Sequence, residues 1–161
     1  LNLFSYTGSF TVYAAAGGAI HSESVDLSNT YLDWAGGNLR LNGCDLARHR
    51  LVRADAFAYL ETAARAGKQY DLIVLDPPSF SNSKRMQEVL DVQRDHPRLI
   101  AGCMRVLADG GELIFSTNRR HFELDPGVSR DYRCVDLHEW SVPEDFRGRS
   151  IHRCWRLGHQ R

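Results

Sequence analysis

An aspartate followed by two prolines is the part of this sequence best suited to chemistry. Asp76 stands directly after the apolar run LIVL and is followed by Pro77 and Pro78. The two prolines restrict φ and remove two amide donors, so they hold the segment extended and its carboxylate in place. Ser79 and Phe80 complete the segment DPPSF. Such rigidity suits the positioning of a flat base, although a plain proline-rich turn would have the same composition.

Two further aspartates end predicted strands. Asp26 follows Gly8 by eighteen residues, close to the place where an acid of a Rossmann-like site binds ribose hydroxyls. Asp55 ends the next strand, where it could accept a hydrogen bond from an adenine amino group while Phe57 packs near the ring. Capping of the following helix explains either aspartate equally well when it is considered alone.

The loop after the first predicted strand contains a single glycine. Gly8 could bring the backbone close to a ligand, and Thr7 or Ser9 could cap the following helix. The loop has neither the GxGxxG of a dinucleotide site nor the GxxxxGK(S/T) of a phosphate loop. It therefore suits a cofactor without phosphates, although an ordinary turn between a strand and a helix is the alternative.

These residues are expected to lie at the strand ends of one α/β sheet, because apolar runs alternate with segments of helical periodicity. The predicted strands span residues 1–5, 20–26, 50–54, 71–76 and 111–117. The predicted helices span residues 9–17, 28–42, 55–66 and 88–107. Two β-rich segments, 132–138 and 151–157, follow without a convincing helix between them. The expected fold is a mostly parallel, doubly wound sheet with a C-terminal antiparallel hairpin and a ligand at the carboxyl ends of its strands.

Composition predicts a single domain over residues 1–161. The chain is 43% hydrophobic, and no apolar run approaches the roughly 20 residues of a membrane span. No export signal is recognisable, so we expect a cytoplasmic protein without a membrane partner. The cysteines form no CxxC pair and lack nearby histidines at metal-binding spacing, which argues against disulfides and against a metal site. They are Cys44, Cys103, Cys134 and Cys154.

The formal net charge of zero gives no support to nucleic-acid binding, because dedicated binders usually carry a basic excess. Local charge is more informative. Lys84, Arg85 and Arg94 follow the DPPSF segment and could contact RNA phosphates. The alternative is that they belong to ordinary solvated surfaces.

Six segments carry a family resemblance: LNLFSYTGSF, SVDLSNTYLDWA, NLRLNG, RADAFAYL, DPPSFSNSKRM and DVQRDH. They resemble the Rossmann-like class I methyltransferases that modify bacterial large-subunit ribosomal RNA, in particular their RlmK-type domains, which are related to RlmI-like enzymes. The resemblance covers nearly the whole chain. It implies S-adenosyl-L-methionine as cofactor, 23S rRNA as partner, and methyl transfer to guanine N7. Transfer to an exocyclic amine such as guanine N2, or to cytosine C5, is the alternative.

The resemblance also assigns individual residues, and it implies no metal. The cofactor would contact Phe4, Ser5, Tyr6, Thr7, Gly8, Ser9, Asp26, Leu27, Asn42, Asp55, Ala56 and Asp76. The target base would be held by Asp76, Pro77, Pro78 and Phe80, and the RNA would contact Ser79, Lys84, Arg85, Arg94 and Asn118. Phe4 and Tyr6 stand where methyltransferases generally favour glycine, and Asn2 replaces a usual acid.

Two other functional classes compete with this interpretation. A nucleotide-dependent oxidoreductase is disfavoured by the missing GxGxxG, and a non-catalytic RNA-binding module is disfavoured by the intact DPPSF. Fused enzymes of the family carry a second methyltransferase half and RNA-binding elements. We therefore expect the chain to be one module of a longer protein, with those domains as partners, and we do not expect the module alone to suffice for activity.

Cysteine placement predicts which atom is methylated. Methylation at C5 of a pyrimidine requires a cysteine thiolate in the pocket. In related cytosine-C5 enzymes that cysteine ends the fifth strand, where residues 115–118 read FSTN. Cys103 falls on a predicted helix, and Cys134 and Cys154 fall on the closing strands. The sequence thus predicts a reaction that needs no cysteine.

Overall fold

Nine strands are present in the computed structural model, which describes residues 1–81, 90–146 and 151–160. They are β1 (Asn2–Leu3), β2 (Ser22–Asp26), β3 (His49–Arg53), β4 (Tyr70–Leu75), β5 (Phe80–Ser81), β6 (Leu90–Asp91), β7 (Leu107–Thr117), β8 (Arg133–Asp136) and β9 (Arg153–Gly158). Seven of them form one sheet in the order β3-β2-β1-β4-β7-β9-β8, and β5 pairs with β6. Strands β1 to β4 and β7 are mutually parallel, and β9 runs antiparallel to both β7 and β8.

Six α-helices connect the strands of the described chain. They are α1 (Ser9–Ala16), α2 (Asn29–Leu41), α3 (Ala56–Arg65), α4 (Val92–Met104), α5 (Pro126–Asp131) and α6 (His138–Ser141). Side chains cap three of the longer helices: Ser28 caps α2, Asp55 caps α3 and Asp91 caps α4, each accepting a backbone N–H of the first turn. None of these helices has the length and apolar character needed to span a membrane.

The strand order reverses at β1, because β2 and β3 are added on one side of it and β4 and β7 on the other. In open α/β sheets, ligands bind at such a reversal, outside the carboxyl ends of the strands. Those ends carry Asp26, Asp76 and residues 116–118. The predicted α/β fold with a closing antiparallel hairpin is therefore confirmed, and it directs three predicted site segments to one edge.

Some predicted boundaries are wrong. The helix predicted over 88–107 begins at Val92, because Leu90 and Asp91 pair with the end of the DPPSF segment as β6. Helices α5 and α6 lie in regions where no helix was predicted. The predicted capping of α1 by Thr7 or Ser9 is also wrong, since Gly8 occupies the N-cap and no side chain accepts there.

An aromatic core supports the strands that end at the cleft. The buried Phe115 ring on β7 stacks on Trp155 of β9, with 5.6 Å between centroids, and meets Phe122 edge-on. His96 of α4 stacks parallel to Phe115, and its Nε2 accepts a hydrogen bond from the Asp125 backbone N–H at 3.0 Å. Burial lowers the pKa of His96, so the ring is held neutral. This packing fixes β7 against β9 beneath the site.

Candidate functional site

A cleft of about 1140 Å³ opens at the carboxyl ends of β1, β2, β4 and β7. Its lining includes Asp26 and Leu27 at one end and Asp76, Pro77 and Pro78 at the other. The volume exceeds the usual upper range of small-molecule pockets, which is about 1,000 Å³. The cleft can therefore accommodate a cofactor and part of a second molecule together.

The loop between β1 and α1 is wound tightly at the centre of this edge. Phe4 and Tyr6 adopt left-handed backbone conformations, with φ of 57° and 49°. Such conformations favour glycine, yet phenylalanine and tyrosine adopt them here. Both side chains line the cleft, whereas Ser5 is buried beneath it. The winding thus presents two aromatic rings to a ligand.

Gly8 serves the packing of this loop against α2. Its φ is 75°, and a Cβ added there would lie 2.8 Å from the Cβ of Ala35. Asn38 of the same helix donates a hydrogen bond to the Thr7 carbonyl at 2.8 Å. Thr7, Gly8 and Ser9 do not line the cleft. The sequence suggested that Gly8 brings the backbone close to a ligand, whereas in the structure it brings the backbone close to α2.

Asp26 links the first two loops of the site. One carboxylate oxygen accepts from the Tyr6 backbone N–H at 3.0 Å, and the other accepts from the Ser28 N–H at 2.9 Å. Asp26 lines the cleft, and capping of α2 belongs to Ser28. Each carboxylate oxygen retains capacity for a second hydrogen bond. Asp26 is thus oriented by the backbone with acceptor capacity toward the cleft.

The residues that follow β3 do not all lie where the sequence predicts. Asp55 caps α3 through a hydrogen bond from the Ala58 N–H at 3.1 Å, while its neighbours Ala54 and Ala56 line the cleft. The Phe57 ring packs under the Arg98 guanidinium at 4.4 Å, in a separate small depression between α3 and α4. The expectation that Phe57 would pack near an adenine is therefore wrong.

Asn42 lies outside this site. It follows the last turn of α2, where its side-chain amide donates to the Asn38 carbonyl at 2.8 Å. The side chain is exposed and does not line the cleft. Asn38, one helical turn earlier, is the asparagine that holds the loop between β1 and α1, and the sequence analysis missed it.

Asp76 is held at the opposite end of the cleft. Its Oδ1 accepts a hydrogen bond from the Ser116 hydroxyl at 2.8 Å. The carboxyl is open to the cleft, yet the surrounding walls withdraw enough water to raise its pKa, against the opposing effects of Ser116 and His152. Pro77 and Pro78 line the cleft beside it. The hydroxyl of Ser79 donates to the Asn118 side-chain oxygen at 2.9 Å, which ties this segment to the end of β7.

Phe80 lies at the rim and does not line the cleft. Its side chain is 58% exposed, and the Arg119 guanidinium lies 5.1 Å from the ring centroid. Arg119 also donates to the Asp91 carboxylate at 2.6 Å. The sequence analysis did not identify Arg119 as a site residue. Its contacts with Phe80 and Asp91 connect the β5–β6 pair to the end of β7.

The C-terminal elements supply a third wall that the sequence analysis did not predict. The residues of this wall are Ser141 of α6, Cys154 of β9, and His152, which directly precedes β9. Cys154 lies on a closing strand, as predicted, and that strand brings it into the wall of the cleft. Burial raises the pKa of its thiol, and the charge of Asp76 raises it further. A thiol of this kind stays protonated at neutral pH and is a poor nucleophile.

The predicted RNA contacts divide into three groups. Asn118 lines the cleft. Arg94 is exposed on α4 and pairs with Asp95 at 2.7 Å. Lys84 and Arg85 lie outside the described residues. Within the described ranges, no three His, Cys, Asp or Glu side chains come together as a metal site would require.

Comparison with known proteins identifies the family of this chain. The sequence profile of the S-adenosylmethionine-dependent methyltransferases matches residues 1–136. The chain is 62% identical over 160 residues to ribosomal RNA large subunit methyltransferase K of Neisseria meningitidis, covering 99% of the chain and 45% of that protein. It is 53% identical over 160 residues to the K/L enzyme of Saccharophagus degradans, covering 99% of the chain and 21% of that protein.

A solved structure agrees with these relatives. A methyltransferase crystallised with SAH superposes with a TM-score of 0.81 at 31% identity, covering 97% of the chain and 43% of that structure. The chain spans less than half the length of each of these three proteins. On the profile match and the identity across the whole length of the chain, it belongs to the family of S-adenosylmethionine-dependent methyltransferases.

Proposed function

We propose that this chain is the catalytic module that methylates guanine N7 in 23S rRNA, within a longer cytoplasmic protein. The observation that carries the proposal is Asp76, held by Ser116 beside two prolines in a cleft that extends to Asp26. The names of the relatives, ribosomal RNA large subunit methyltransferases K and K/L, support the choice of ribosomal RNA as substrate. The remaining domains of the longer protein would supply further RNA contacts.

The residues at the Asp26 end fit S-adenosyl-L-methionine. A carboxylate with free acceptor capacity suits ribose hydroxyls, and the apolar side chains of Leu27, Ala54 and Ala56 suit the faces of an adenine ring. Phe4 and Tyr6 would border the methionine part. The family cofactor supplies, when bound, a methyl group on a positively charged sulfonium. Asp55, engaged as a helix cap, would contribute only its unoccupied acceptor positions.

The other end of the cleft would hold the target base. Pro77 and Pro78 form a rigid wall, and the Asp76 oxygen that Ser116 does not engage is available to an N–H group of the base. Guanine N7 already carries a lone pair, so the chain has to align the base and has no proton to remove. As pH falls through the raised pKa of Asp76, this acceptor is lost, and base binding should weaken at a higher pH than an ordinary aspartate would give.

The alternatives make different demands on these residues. An exocyclic amine such as guanine N2 could also be oriented by Asp76, so N2 methylation is the second candidate. Cytosine C5 chemistry would require a thiolate, and the raised pKa of Cys154 argues against it. Membership of the methyltransferase family argues against a nucleotide-dependent oxidoreductase.

The proposal is tested by incubating the full-length protein with unmodified 23S rRNA and S-adenosylmethionine and mapping methylated nucleotides by mass spectrometry. We expect 7-methylguanosine at one position. Asp76→Ala should abolish its formation. Loss of N2-methylguanosine or 5-methylcytidine in Asp76→Ala, with 7-methylguanosine unchanged, would contradict the assignment of the methylated atom, and absence of any methylated nucleotide in the wild type would contradict the assignment of 23S rRNA as substrate.

A further inference from the structure

We propose that His152 recognises the target base from the wall facing Asp76 and, together with Asp76, selects guanine. The inference rests on the proposed function, because it concerns the base that this cleft holds. His152 precedes β9 and lines the cleft with Ser141 and Cys154. No motif of the sequence marked it.

The ring of His152 is fixed by a short chain of hydrogen bonds. Its Nε2 lies 2.9 Å from the Ser141 hydroxyl oxygen, and that hydroxyl donates to the His138 carbonyl at 3.1 Å. A serine hydroxyl has one proton, and the His138 carbonyl is an acceptor that can take it. We therefore assign the Nε2–H tautomer to His152, in which the serine oxygen accepts from Nε2–H and Nδ1 of the neutral ring is left as an acceptor. The His138 ring, 6.2 Å away and edge-on, packs beside it.

Asp76 provides the second acceptor. Ser116 occupies Oδ1 at 2.8 Å, which leaves Oδ2 for a ligand. The two acceptors face the same space, because both residues line the cleft and the His152 side chain lies within electrostatic range of the Asp76 carboxyl. Each is oriented before substrate arrives, since Ser116 holds one and Ser141 holds the other.

A pair of acceptors discriminates among the four bases. Guanine presents two neighbouring donors on its Watson–Crick edge, N1–H and the N2 amino group, whereas adenine and cytosine place an acceptor nitrogen beside their amino group. In uracil the single N3–H lies between two carbonyls. Any base other than guanine would set a lone pair against Oδ2 or Nδ1, which costs binding energy in a partly dry cleft. We assign N1–H to Asp76 and the amino group to His152, which leaves N7 free on the other edge.

The test removes the proposed hydrogen bond between the guanine amino group and His152, once by changing the RNA and once by changing the protein. An RNA fragment that carries the guanosine methylated by the full-length protein is prepared with guanosine or with inosine there, because inosine lacks only the N2 amino group. We expect the wild type to prefer guanosine by at least about tenfold in kcat/KM. His152→Ala should slow the guanosine reaction by about that factor, leave the inosine reaction unchanged and bring the ratio close to one. His152→Gln, which restores an acceptor oxygen, should recover part of the preference.

The controls separate this role from a structural one. Thermal melting and S-adenosylmethionine affinity of His152→Ala should match the wild type, and Ser141→Ala, which frees the ring, should reduce the preference without abolishing activity. His21→Ala replaces an exposed histidine just before β2, at the end of the strands opposite the cleft, and should change neither rate. Equal losses with both RNAs, or an unchanged ratio, would overturn the inference while leaving the proposed function standing. No methyl transfer to guanosine by the wild type would overturn both.

Discussion

Asp26 already uses both carboxylate oxygens to hold the Tyr6 and Ser28 backbone amides, so its removal should disturb the cofactor end in two ways. The ribose hydroxyls would lose their charged acceptor, and the first loop would lose its anchor. We expect Asp26→Ala to weaken S-adenosylmethionine binding by about 1.5 to 3 kcal/mol, measured by isothermal titration calorimetry.

A matched variant and a conservative variant sharpen this test. Asp33→Ala removes an exposed aspartate of α2 and should leave the affinity unchanged. Asp26→Asn keeps one acceptor oxygen and should fall between the wild type and Asp26→Ala. An unchanged affinity in folded Asp26→Ala would remove Asp26 from the cofactor site.

Cys154 is the residue for which cysteine chemistry has to be tested, because it lines the cleft near Asp76. Its raised pKa leaves little thiolate at neutral pH, so Cys154→Ala should keep methylation within about threefold of the wild type. The measurement is single-turnover methyl transfer to 23S rRNA by the full-length protein.

Cys44→Ala, on a residue outside the cleft, provides the comparison. Loss of activity in Cys154→Ala alone, with a covalent RNA adduct trapped on the wild type, would argue for C5 chemistry. The fully buried Cys103 is less suitable for this purpose, because its replacement would disturb the core.

At the scale of elements, a polar cluster joins β2, α3 and β4 near the edge of the sheet opposite the cleft. The Glu23 carboxylate accepts hydrogen bonds from Tyr59 at 2.6 Å and Lys68 at 2.8 Å, and from Tyr70. Burial alone would raise the pKa of Glu23, but these donors outweigh it and lower the pKa from 4.5 to about 2. The unfolded chain therefore binds a proton at Glu23 at a higher pH than the folded protein does.

This difference predicts an acid-dependent loss of stability. The contribution of Glu23 is fully present above pH 4.5 and disappears as pH falls toward 2. We expect it to amount to about 3 kcal/mol of unfolding free energy, measured by urea denaturation at successive pH values. Glu23→Gln should lack this part of the pH dependence.

Glu61→Gln gives the matched control, because it breaks an exposed ion pair with Arg105 that joins α3 to α4. Such pairs contribute about 1 kcal/mol or less. If Glu23→Gln kept the full acid dependence of the wild type, the cluster would not be the origin of that dependence.

The elements differ in how far the sequence predicts them. The parallel strands are predictable because each carries apolar residues directly before a polar residue at or just after its carboxyl end, and this places Asp26 and Asp76 together correctly. The β5–β6 pair is not, since two residues per strand carry no periodicity. Residues 138–141 and 152–154 become a cleft wall only through the pairing of β9 with β7, a contact between residues about forty apart such as Phe115 and Trp155. Local patterns do not report such pairings.

At the scale of the whole molecule, the net charge of zero leaves RNA attraction to local basic groups. Neutralising Lys84, Arg85 and Arg94 should lower RNA affinity and flatten its salt dependence by about one unit of log–log slope per lost phosphate contact. Arg94 would exchange its partner Asp95 for a phosphate. Filter binding of the full-length protein across a salt series measures both quantities.

Arg65→Ala supplies a neutralisation control on the far side of the molecule, because this exposed residue ends α3 near the start of β4. Its slope should equal that of the wild type, and cofactor affinity should be unchanged in every variant. Unaltered RNA affinity and slope in the triple variant would assign these three residues to the ordinary solvated surface.

The position of β9 has a consequence for biosynthesis. Of the described strands, β9 is the last along the chain, yet it lies between β7 and β8 in the sheet. While a ribosome is still translating the protein, β8 has no neighbour, and the edge of β7 stays open until residues 153–158 emerge. His152 and Cys154 arrive with that strand. A nascent chain can therefore assemble the Asp26 end of the cleft first, and the wall that contains His152 and Cys154 is added only when residues 153–158 have emerged.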